Sequence, residues 1–232
     1  MKKILLSIVV PCYNESKFID KTISSISISL KYNHISNYEI ILVDDKSNDG
    51  TVTKLIKLKK KIKNIKILLN KSNLGLGGSL KKGYMLSKGE YIMWLPGDNA
   101  HPTKDLKKII KLIKQKNKNI IIPLNNNSSR GTIREIFSKC YIYFLNILFL
   151  QNIKYYNGAN IYNKKILKKI IRTNLSKSHF FLAEVLLKAL RFKNEYYYVD
   201  CSVNNQEVSN AIKVSSIYKI IRDIIKFRFK FR

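Results

Sequence analysis

The chain has 232 residues, which suits one large α/β domain with a substantial core. Its 44 lysines and arginines outnumber its 15 aspartates and glutamates, giving a formal charge of +29 at pH 7. The lysines are scattered along the whole length and arginine is scarce, unlike the clustered cations of a nucleic-acid-binding protein, so we expect no nucleic-acid partner. The charge instead predicts attraction to anionic substrates and lipid surfaces. Three cysteines without CxxC spacing indicate neither a disulfide framework nor a zinc site and favour a reducing cytoplasm.

Strand and helix patterns alternate through the first half of the chain. Short apolar runs predict strands at 6–10, 40–43, 65–69, 91–95 and 120–123. Apolar residues at helical spacing predict helices at 17–30, 52–61, 79–87 and 106–115. A glycine-rich turn at 73–78 precedes the third of these helices. The alternation predicts βαβ units, and therefore an α/β fold with a mostly parallel central sheet and helices on both faces.

The second half has a different character. The sequence predicts a polar loop at 125–131, an aromatic-rich helical stretch at 132–152, a strand or turn at 156–162, a buried helix at 180–189, a closing strand at 196–203 and a basic amphipathic helix at 215–232. No run reaches the roughly 20 apolar residues of a membrane-spanning helix. We expect one domain at 1–213 and a basic amphipathic tail at 214–232, for which a membrane surface and ordinary solvation both remain open.

Acidic residues follow two of the predicted strands. Asp44 and Asp45 come directly after the second strand, and Asp98 follows the fourth. Open α/β sheets bind ligands at the carboxyl ends of their parallel strands. Because Mg²⁺ and Mn²⁺ favour carboxylate and phosphate oxygens, the pattern predicts a metal-bound nucleotide at this edge.

Several motifs together resemble family 2 glycosyltransferases of the GT-A fold. The resemblance is carried by Val9-Val10-Pro11-Cys12-Tyr13-Asn14-Glu15, by Val43-Asp44-Asp45-Lys46-Ser47-Asn48-Asp49-Gly50-Thr51, by Asn73-x-Gly75-x-Gly77 and by Gly89-Glu90-Tyr91. It extends from residue 4 to about residue 213, and it is most similar to the dolichyl-phosphate mannosyltransferase and polyprenyl-phosphate glycosyltransferase branch. It implies a Rossmann-like GT-A domain followed by a helical C-terminal extension.

The resemblance also implies a binding site for a nucleotide-diphosphate sugar. Pro11, Tyr13 and Glu15 match the loop around the base and ribose. Asp44 and Asp45 match the acidic pair that contacts these groups, since carboxylates accept hydrogen bonds from a base edge and from sugar hydroxyls. The turn that contains Gly75 is expected to pass near the donor, because the spacing of its glycines is not that of a dinucleotide-binding loop.

Asp98 is the candidate metal ligand. The family's Asp-x-Asp motif aligns with Pro96-Gly97-Asp98, so one of its two carboxylates is missing, and His101-Pro102 matches the trailing pair. One carboxylate, the donor diphosphate and waters can still hold Mg²⁺ or Mn²⁺. The alternative is a simple turn in which metal binding is weakened or lost.

Candidate acceptor residues lie in the second half. Arg130 and Arg134 flank Gly131 just before the aromatic helical stretch, where the family places phosphate-binding side chains near the acceptor. Lys213 is what remains of the family's later Arg-x-x-Gly-x-Ser-Lys element. Glu184, a carboxylate among apolar neighbours, matches a carboxylate that the branch carries on a helix facing the site. It is either a catalytic base or a structural partner of a cation.

These implications lead to one expected function with alternatives. We expect an inverting, metal-assisted transferase that uses a nucleotide-diphosphate sugar and acts on a polyprenyl phosphate, as a peripheral cytoplasmic protein at the inner face of the membrane. A transferase acting on a glycan hydroxyl would need Glu184 as its base. A non-catalytic GT-A scaffold and a basic nucleic-acid-binding protein are the alternatives of other classes.

Overall fold

The computed structural model describes residues 3–114, 119–125, 132–192, 195–202 and 214–230, with the backbone alone at 114, 125, 132–134 and 214–217. The strands of these residues are β1 (Leu6–Cys12), β2 (Tyr38–Asp44), β3 (Ile65–Leu69), β4 (Tyr91–Trp94), β5 (Ile120–Asn125), β6 (Ile161–Asn163) and β7 (Tyr196–Cys201). The helices are α1 (Ile19–Tyr32), α2 (Thr51–Lys61), α3 (Gly75–Leu86), α4 (Thr103–Lys114), α5 (Thr132–Phe149), α6 (Lys164–Ile171), α7 (Phe180–Leu190) and α8 (Val214–Lys230).

The strands form one sheet in the order β3-β2-β1-β4-β6-β5-β7. All neighbouring strands are parallel except β6, which runs antiparallel to both β4 and β5. The predicted mostly parallel α/β sheet is therefore confirmed. The reversed strand was not predicted as such, because its three residues are too few to show a periodic pattern.

Helices cover both faces of the sheet, as predicted. Apolar side chains of α1, α2 and α4 pack on one face around Ile8, Leu42 and Met93. Helices α3, α5, α6, α7 and α8 cover the other face, around Val9 and Ile41. Adjacent strand residues thus point to opposite cores, which explains why the central strands are apolar throughout rather than alternating.

The helices differ from the predicted ones at one boundary that affects the site and by one additional helix. Helix α3 begins at Gly75 and not at Ser79, so the glycine-rich segment forms its first turn. Helix α6 was not predicted, although its sequence has apolar residues at helical spacing, and the side chain of Asn163 accepts a hydrogen bond from the backbone N of Lys165. Of the segment at 156–162, only the last two residues belong to a strand.

Helix α8 packs on the domain. Ile224 and Phe227 are buried in the same core as α5 and α7, with the Phe227 ring 5.4 Å from Phe149 and 5.6 Å from Phe180. The tail predicted at 214–232 therefore contributes Ile224 and Phe227 to the domain core. Among the residues that the structure describes, no helix combines the length and the apolar character needed to cross a bilayer.

A buried carboxylate holds the amino-terminal edge of the sheet together. Glu39 of β2 is buried and accepts hydrogen bonds of 2.6 Å from the Ser7 hydroxyl, from the Lys66 ammonium and from the backbone N of Lys88. Burial opposes ionisation of Glu39, but these donors outweigh burial and lower its pKa from the usual 4.5. The ionised form is therefore stabilised in the folded protein.

We expect Glu39→Gln to lower the free energy of unfolding by about 2–3 kcal/mol, because it leaves Lys66 without its partner in a partly buried place. Because the folded-state pKa is below 4.5, this contribution is present above about pH 4.5 and is lost as the pH falls through the folded-state value. Urea unfolding of the wild type and of Glu39→Gln between pH 3 and 7 measures this contribution to the free energy of unfolding. Glu90→Gln, which removes an exposed pair with Lys3, is the control and should change stability by less than about 1 kcal/mol.

Candidate functional site

The candidate site lies at the carboxyl edge of β1, β2 and β4. Asp45, directly after β2, donates its backbone N–H to the carbonyl of Cys12 at 2.8 Å. Leu95, directly after β4, donates to the carbonyl of Val9 at 2.9 Å. Because these strands are parallel neighbours, the loops that carry Glu15, Asp45 and Asp98 leave the sheet at the same edge. This is the edge that the sequence predicted for ligand binding.

The loop after β1 is joined to the loop after β2 by hydrogen bonds from its backbone. Glu15 N donates to the Thr51 hydroxyl at 2.9 Å, and Ser16 N donates to the carboxylate of Asp49 at 3.0 Å. Asp49 also accepts from the backbone and hydroxyl of Thr51. Burial is the largest single influence and opposes ionisation of Asp49, but these donors together outweigh it and lower the pKa of Asp49 to about 2. Asp49 thus holds two loops together, as its turn-forming sequence context suggests.

Asp98 lies beside Glu15. A Cβ placed on Gly97 would be 3.0 Å from Cγ of Glu15 and 3.3 Å from the carbonyl oxygen of Pro11, so the turn after β4 packs directly on the loop after β1. The carbonyl of Gly97 accepts a hydrogen bond of 2.7 Å from Thr22 of α1, and one carboxylate oxygen of Asp98 accepts from Ala100 N at 2.9 Å. Only glycine fits at position 97 without displacing Glu15.

Negative charge is concentrated here. Burial, then the neighbouring charges of Asp98 and Asp49, raise the pKa of Glu15 to about 7. No group of three or more His, Cys, Asp or Glu side chains able to hold a metal occurs within the described residues. The oxygens of Asp98 and Glu15 nevertheless fit Mg²⁺ or Mn²⁺ in kind, since these ions take one or two carboxylates and complete their coordination with phosphate and water. The donor set is therefore compatible with a divalent ion that arrives with a diphosphate.

Asp44 has a buried carboxylate oxygen without a hydrogen-bond partner among the described residues. One oxygen accepts from the backbone N atoms of Lys46 and Ser47, each at 3.1 Å. The other oxygen, Oδ1, is buried and has no hydrogen-bond partner in the described structure. A buried acceptor of this kind loses hydration without a compensating bond, so it is a site where a ligand N–H or O–H would be favourable.

Asp45 holds the start of helix α3. One carboxylate oxygen accepts from Leu74 N at 2.8 Å and from the side-chain amide of Asn70 at 2.9 Å, and the other accepts from Gly75 N at 2.9 Å. A carboxylate at this position is favourable because the first N–H groups of a helix lack partners within the helix. The expected contact with a base or ribose would have to use a remaining lone pair of an oxygen that already accepts a hydrogen bond.

The glycines of α3 permit a close approach of another segment. Gly75 has a φ of +73°, and a Cβ there would lie 3.0 Å from the carbonyl of Lys177. A Cβ on Gly77 would lie 2.7 Å from the carbonyl of Ser176 and 2.8 Å from Cβ of Phe181. Gly75, predicted to be in a turn near the donor, is thus the first residue of a helix that packs against residues 176–177.

Glu184 is buried on α7 behind that segment. Its Oε2 accepts from Ser176 N at 2.8 Å, and its Oε1 pairs with Lys188 at 2.8 Å. Of the two roles considered for Glu184, these contacts match the structural partner of a cation. Glu184 therefore fixes the segment on which the glycines of α3 pack.

The remaining predicted site residues make fewer described contacts or lie wholly or partly outside the described residues. Pro11 is half-buried at the end of β1, and the Tyr13 side chain is 52% exposed at the rim. Arg130 and Lys213 lie outside the described residues, and of Arg134 only the helical backbone is described. His101 lines a small cavity under Pro96 together with Thr22 and Asn99.

Two buried asparagines at the same edge were missed. Asn70 directly follows β3 and contacts Asp45, Ser79 and Lys82. Asn160 directly precedes β6; its amide donates to the Tyr162 hydroxyl, and its buried Oδ1 lacks a partner in the described structure. Asn70 could have been found by the reasoning that selected Asp44, since it is also a polar residue just past a strand. Asn160 could not, because the direction of β6 was not known.

Comparisons with known proteins find relatives in sequence and in fold. Dolichyl-phosphate beta-glucosyltransferase of Dictyostelium discoideum is 26% identical over 246 aligned positions, covering 98% of this chain and 75% of that protein. The Saccharomyces cerevisiae protein of the same name is 24% identical over 254 positions, covering 99% and 76%. Glucosyl-3-phosphoglycerate synthase from Mycobacterium tuberculosis, solved with Mn²⁺, UDP and glucosyl-3-phosphoglycerate, superposes with a TM-score of 0.73 at 13% identity, over 99% of this chain and 81% of that one.

A second solved structure, Staphylococcus aureus TarS with UDP-GlcNAc, gives a TM-score of 0.64 at 19% identity, over 95% of this chain and 65% of that one. These structural likenesses establish the GT-A type of α/β fold. The family model for glycosyl transferase family 2 matches residues 7–187, which contain the acidic edge, the glycines of α3 and Glu184. That match spans most of the chain, which belongs to glycosyl transferase family 2.

Proposed function

We propose that this family 2 glycosyltransferase transfers a hexose from a UDP-type sugar to a polyprenyl phosphate at the cytoplasmic face of a membrane, with inversion at the anomeric carbon. The donor class is supported by the UDP-containing structures to which the chain is similar. The acceptor class is supported by relatives named for dolichyl phosphate that align over nearly the whole chain.

The donor half of the proposal rests on Asp44 Oδ1, which has no hydrogen-bond partner in the part of the chain that the structure describes. A buried carboxylate oxygen without a donor suits the N–H of a base edge, and Tyr13 stands exposed beside this edge to cover the ring. Asp98, with Glu15 beside it, would hold Mg²⁺ or Mn²⁺ on the diphosphate. The bound ion would supply positive charge to the leaving group.

The part of the proposal that concerns the acceptor rests on the contacts of Glu184. A hydroxyl acceptor needs a base, whereas a phosphate monoester oxygen is already anionic at neutral pH. Oε1 of Glu184 pairs with Lys188, and Oε2 accepts a hydrogen bond from Ser176 N. Because both oxygens are already engaged, the arrangement favours an acceptor that needs no base. In the proposed reaction an acceptor phosphate oxygen forms a bond to the anomeric carbon while the bond to the diphosphate breaks on the opposite face.

The test is a transfer assay with a panel of UDP- and GDP-sugars and Mn²⁺ or Mg²⁺, with and without short-chain polyprenyl phosphates. The proposal expects a glycolipid product from a UDP-sugar that forms only when the polyprenyl phosphate is present. Transfer confined to soluble hydroxyl acceptors would replace it with the glycan alternative. Donor binding without any turnover would instead identify a scaffold.

Glu184→Gln distinguishes the two acceptor classes. We expect kcat/KM for the lipid phosphate to stay within about tenfold of wild type, because no proton has to be removed; loss of a general base would lower the rate by about 10²–10⁴. The matched control is Lys188→Met, which breaks the same ion pair from its other side. If Glu184→Gln abolishes transfer while Lys188→Met, with a similar change in Tm, does not, then Glu184 is a base.

A further inference from the structure

Helix α5 carries an apolar face whose large side chains are half or more exposed in the described structure. Ile136, Phe137, Tyr143, Phe144, Ile147 and Leu150, the last just past its end, are exposed by 50–88%. At about 100° per residue they fall on one side of the helix, opposite Leu145 and Phe149, which are buried in the core. Single exposed apolar side chains are ordinary, whereas a continuous stripe along a whole helix marks an interaction surface.

Helix α8 repeats this arrangement. Ile224 and Phe227 bind it to the core, while Tyr218, Ile221, Ile225 and Phe229 recur every three or four residues on another side and are exposed by 50–80%. The helix is therefore apolar on two sides, and only one of them is packed within the described structure.

The two exposed stripes lie on the same side of the molecule. Both helices cover the sheet face that contains Val9 and Ile41, and they meet where Phe149 and Phe227 approach to 5.4 Å. Since each helix turns its packed side toward this common core, its exposed stripe is directed away from it. On the opposite sheet face, the large exposed apolar side chains of the helices are only Ile28 and Tyr32 of α1 and Ile56 of α2 among the described residues.

Cations border the stripe on α8. The exposed residues of this helix include five basic side chains, Lys219, Arg222, Lys226, Arg228 and Lys230. Its acidic residue, Asp223, accepts a hydrogen bond of 2.6 Å from the Ser176 hydroxyl. Apolar side chains flanked by long cationic ones suit a bilayer interface, where the apolar groups enter the acyl region and the cations reach the lipid phosphates.

We propose that the exposed faces of α5 and α8 together form a docking surface for an anionic lipid bilayer. The charge favours this occupant over a second copy of the chain, because two such faces would bring the cations of α8 against each other. The proposal deepens the proposed function, since a polyprenyl phosphate acceptor resides in a bilayer. It is tested without acceptor or sugar donor, so its failure is distinct from failure of the transfer reaction.

The test is flotation of the whole chain with vesicles of phosphatidylcholine alone or with 30 mol% phosphatidylglycerol, at several salt concentrations. We expect binding to the anionic vesicles that weakens as salt increases, because exposed cations act within a Debye length. Absence of binding to the anionic vesicles at low salt would overturn the proposal.

Matched variants locate the surface. Replacing Lys219, Lys226 and Lys230 by Gln should weaken binding on the order of 100-fold, given roughly fivefold per cation. Replacing Lys57, Lys59 and Lys60 of α2 by Gln makes the same change in net charge on the other sheet face and should leave binding within about threefold. Equal losses from both sets would show attraction by net charge alone and would contradict the proposed surface.

Substitutions of exposed apolar residues test the contribution of the apolar side chains to vesicle binding. Phe137→Ser with Phe229→Ser removes two of the most exposed rings and should weaken vesicle binding about 100-fold, whereas Ile28→Ser with Ile56→Ser should not. Circular dichroism and Tm establish that each variant is folded. A concentration-dependent dimer in sedimentation that is lost in the phenylalanine variant, with vesicle binding unchanged, would identify the surface as a contact between copies and overturn the proposal.

Discussion

Asp98→Asn should lower kcat/KM for sugar transfer by at least about 100-fold while leaving the fold intact. Positive charge placed at the leaving group accounts for several kcal/mol of transition-state stabilisation in related chemistry, and loss of one charged ligand removes much of it. The asparagine oxygen can still accept the hydrogen bond from Ala100 N, so the turn after β4 should keep its conformation. The effect would therefore belong to the charge and not to the shape of the loop.

Measuring Mn²⁺ binding and the transfer rate separately distinguishes a loss of metal binding from a loss of catalysis. Electron paramagnetic resonance of free Mn²⁺, recorded with UDP present, should show weaker uptake of the ion by Asp98→Asn. Asp20→Asn, which removes an exposed carboxylate paired with Lys54, is the control and should change neither uptake nor transfer. Wild-type rates in Asp98→Asn would exclude Asp98 from the reaction and favour the reading of Pro96-Gly97-Asp98 as a simple turn.

Asp45→Ala should have the largest effect on stability, a loss of about 3 kcal/mol in the free energy of unfolding. The substitution removes the acceptor of Leu74 N, one of the two acceptors of Gly75 N, and one of the two acceptors of the buried Asn70 amide. Hydrogen bonds to a charged group contribute about 1.5–3 kcal/mol each before relaxation. Loss of a helix-capping side chain alone costs about 1 kcal/mol. We expect weaker UDP binding as well, since the start of α3 is at the donor edge.

Hydrogen exchange identifies the mechanism of this loss. Backbone amides of the first turn of α3 should exchange faster in Asp45→Ala than in wild type, well before global unfolding, while amides of α2 keep their protection. Asp45→Asn retains one acceptor oxygen and should show about half the stability loss. Unchanged exchange at the start of α3 would mean that Asp45 acts on the ligand and not on the helix.

Much of the fold could be predicted because local and long-range preferences agree in the first half of the chain. The runs that became β1, β2 and β4 are apolar on both sides, as strands covered by helices on two faces must be. The start of α3 could not be predicted from propensity, because three of its first four residues are glycine. Its first turn forms because Asp45 caps it and residues 176–177, a hundred positions away, pack on it.

The candidate site was predicted in part for the same reason. A carboxylate just past a parallel strand is placed at the ligand edge by topology alone, so the positions of Asp44, Asp45 and Asp98 followed from the sequence. What each carboxylate contacts depends on side chains from distant segments, such as Asn70 for Asp45 and Lys188 for Glu184. Sequence spacing does not contain that information.

The reversed direction of β6 determines which connecting segment lies beside Asp98. Because this strand is antiparallel to β4, the connection at 153–160 enters the sheet beside Trp94, at the edge that carries Asp98. The indole N–H of Trp94 is bound to the carbonyl of Gly158 at 2.9 Å, which ties this connection to the sheet. In the proposed reaction the acceptor would approach this edge, so substitutions in this stretch would alter its surroundings while the strands and the residues Asp44 and Asp45 stay unchanged.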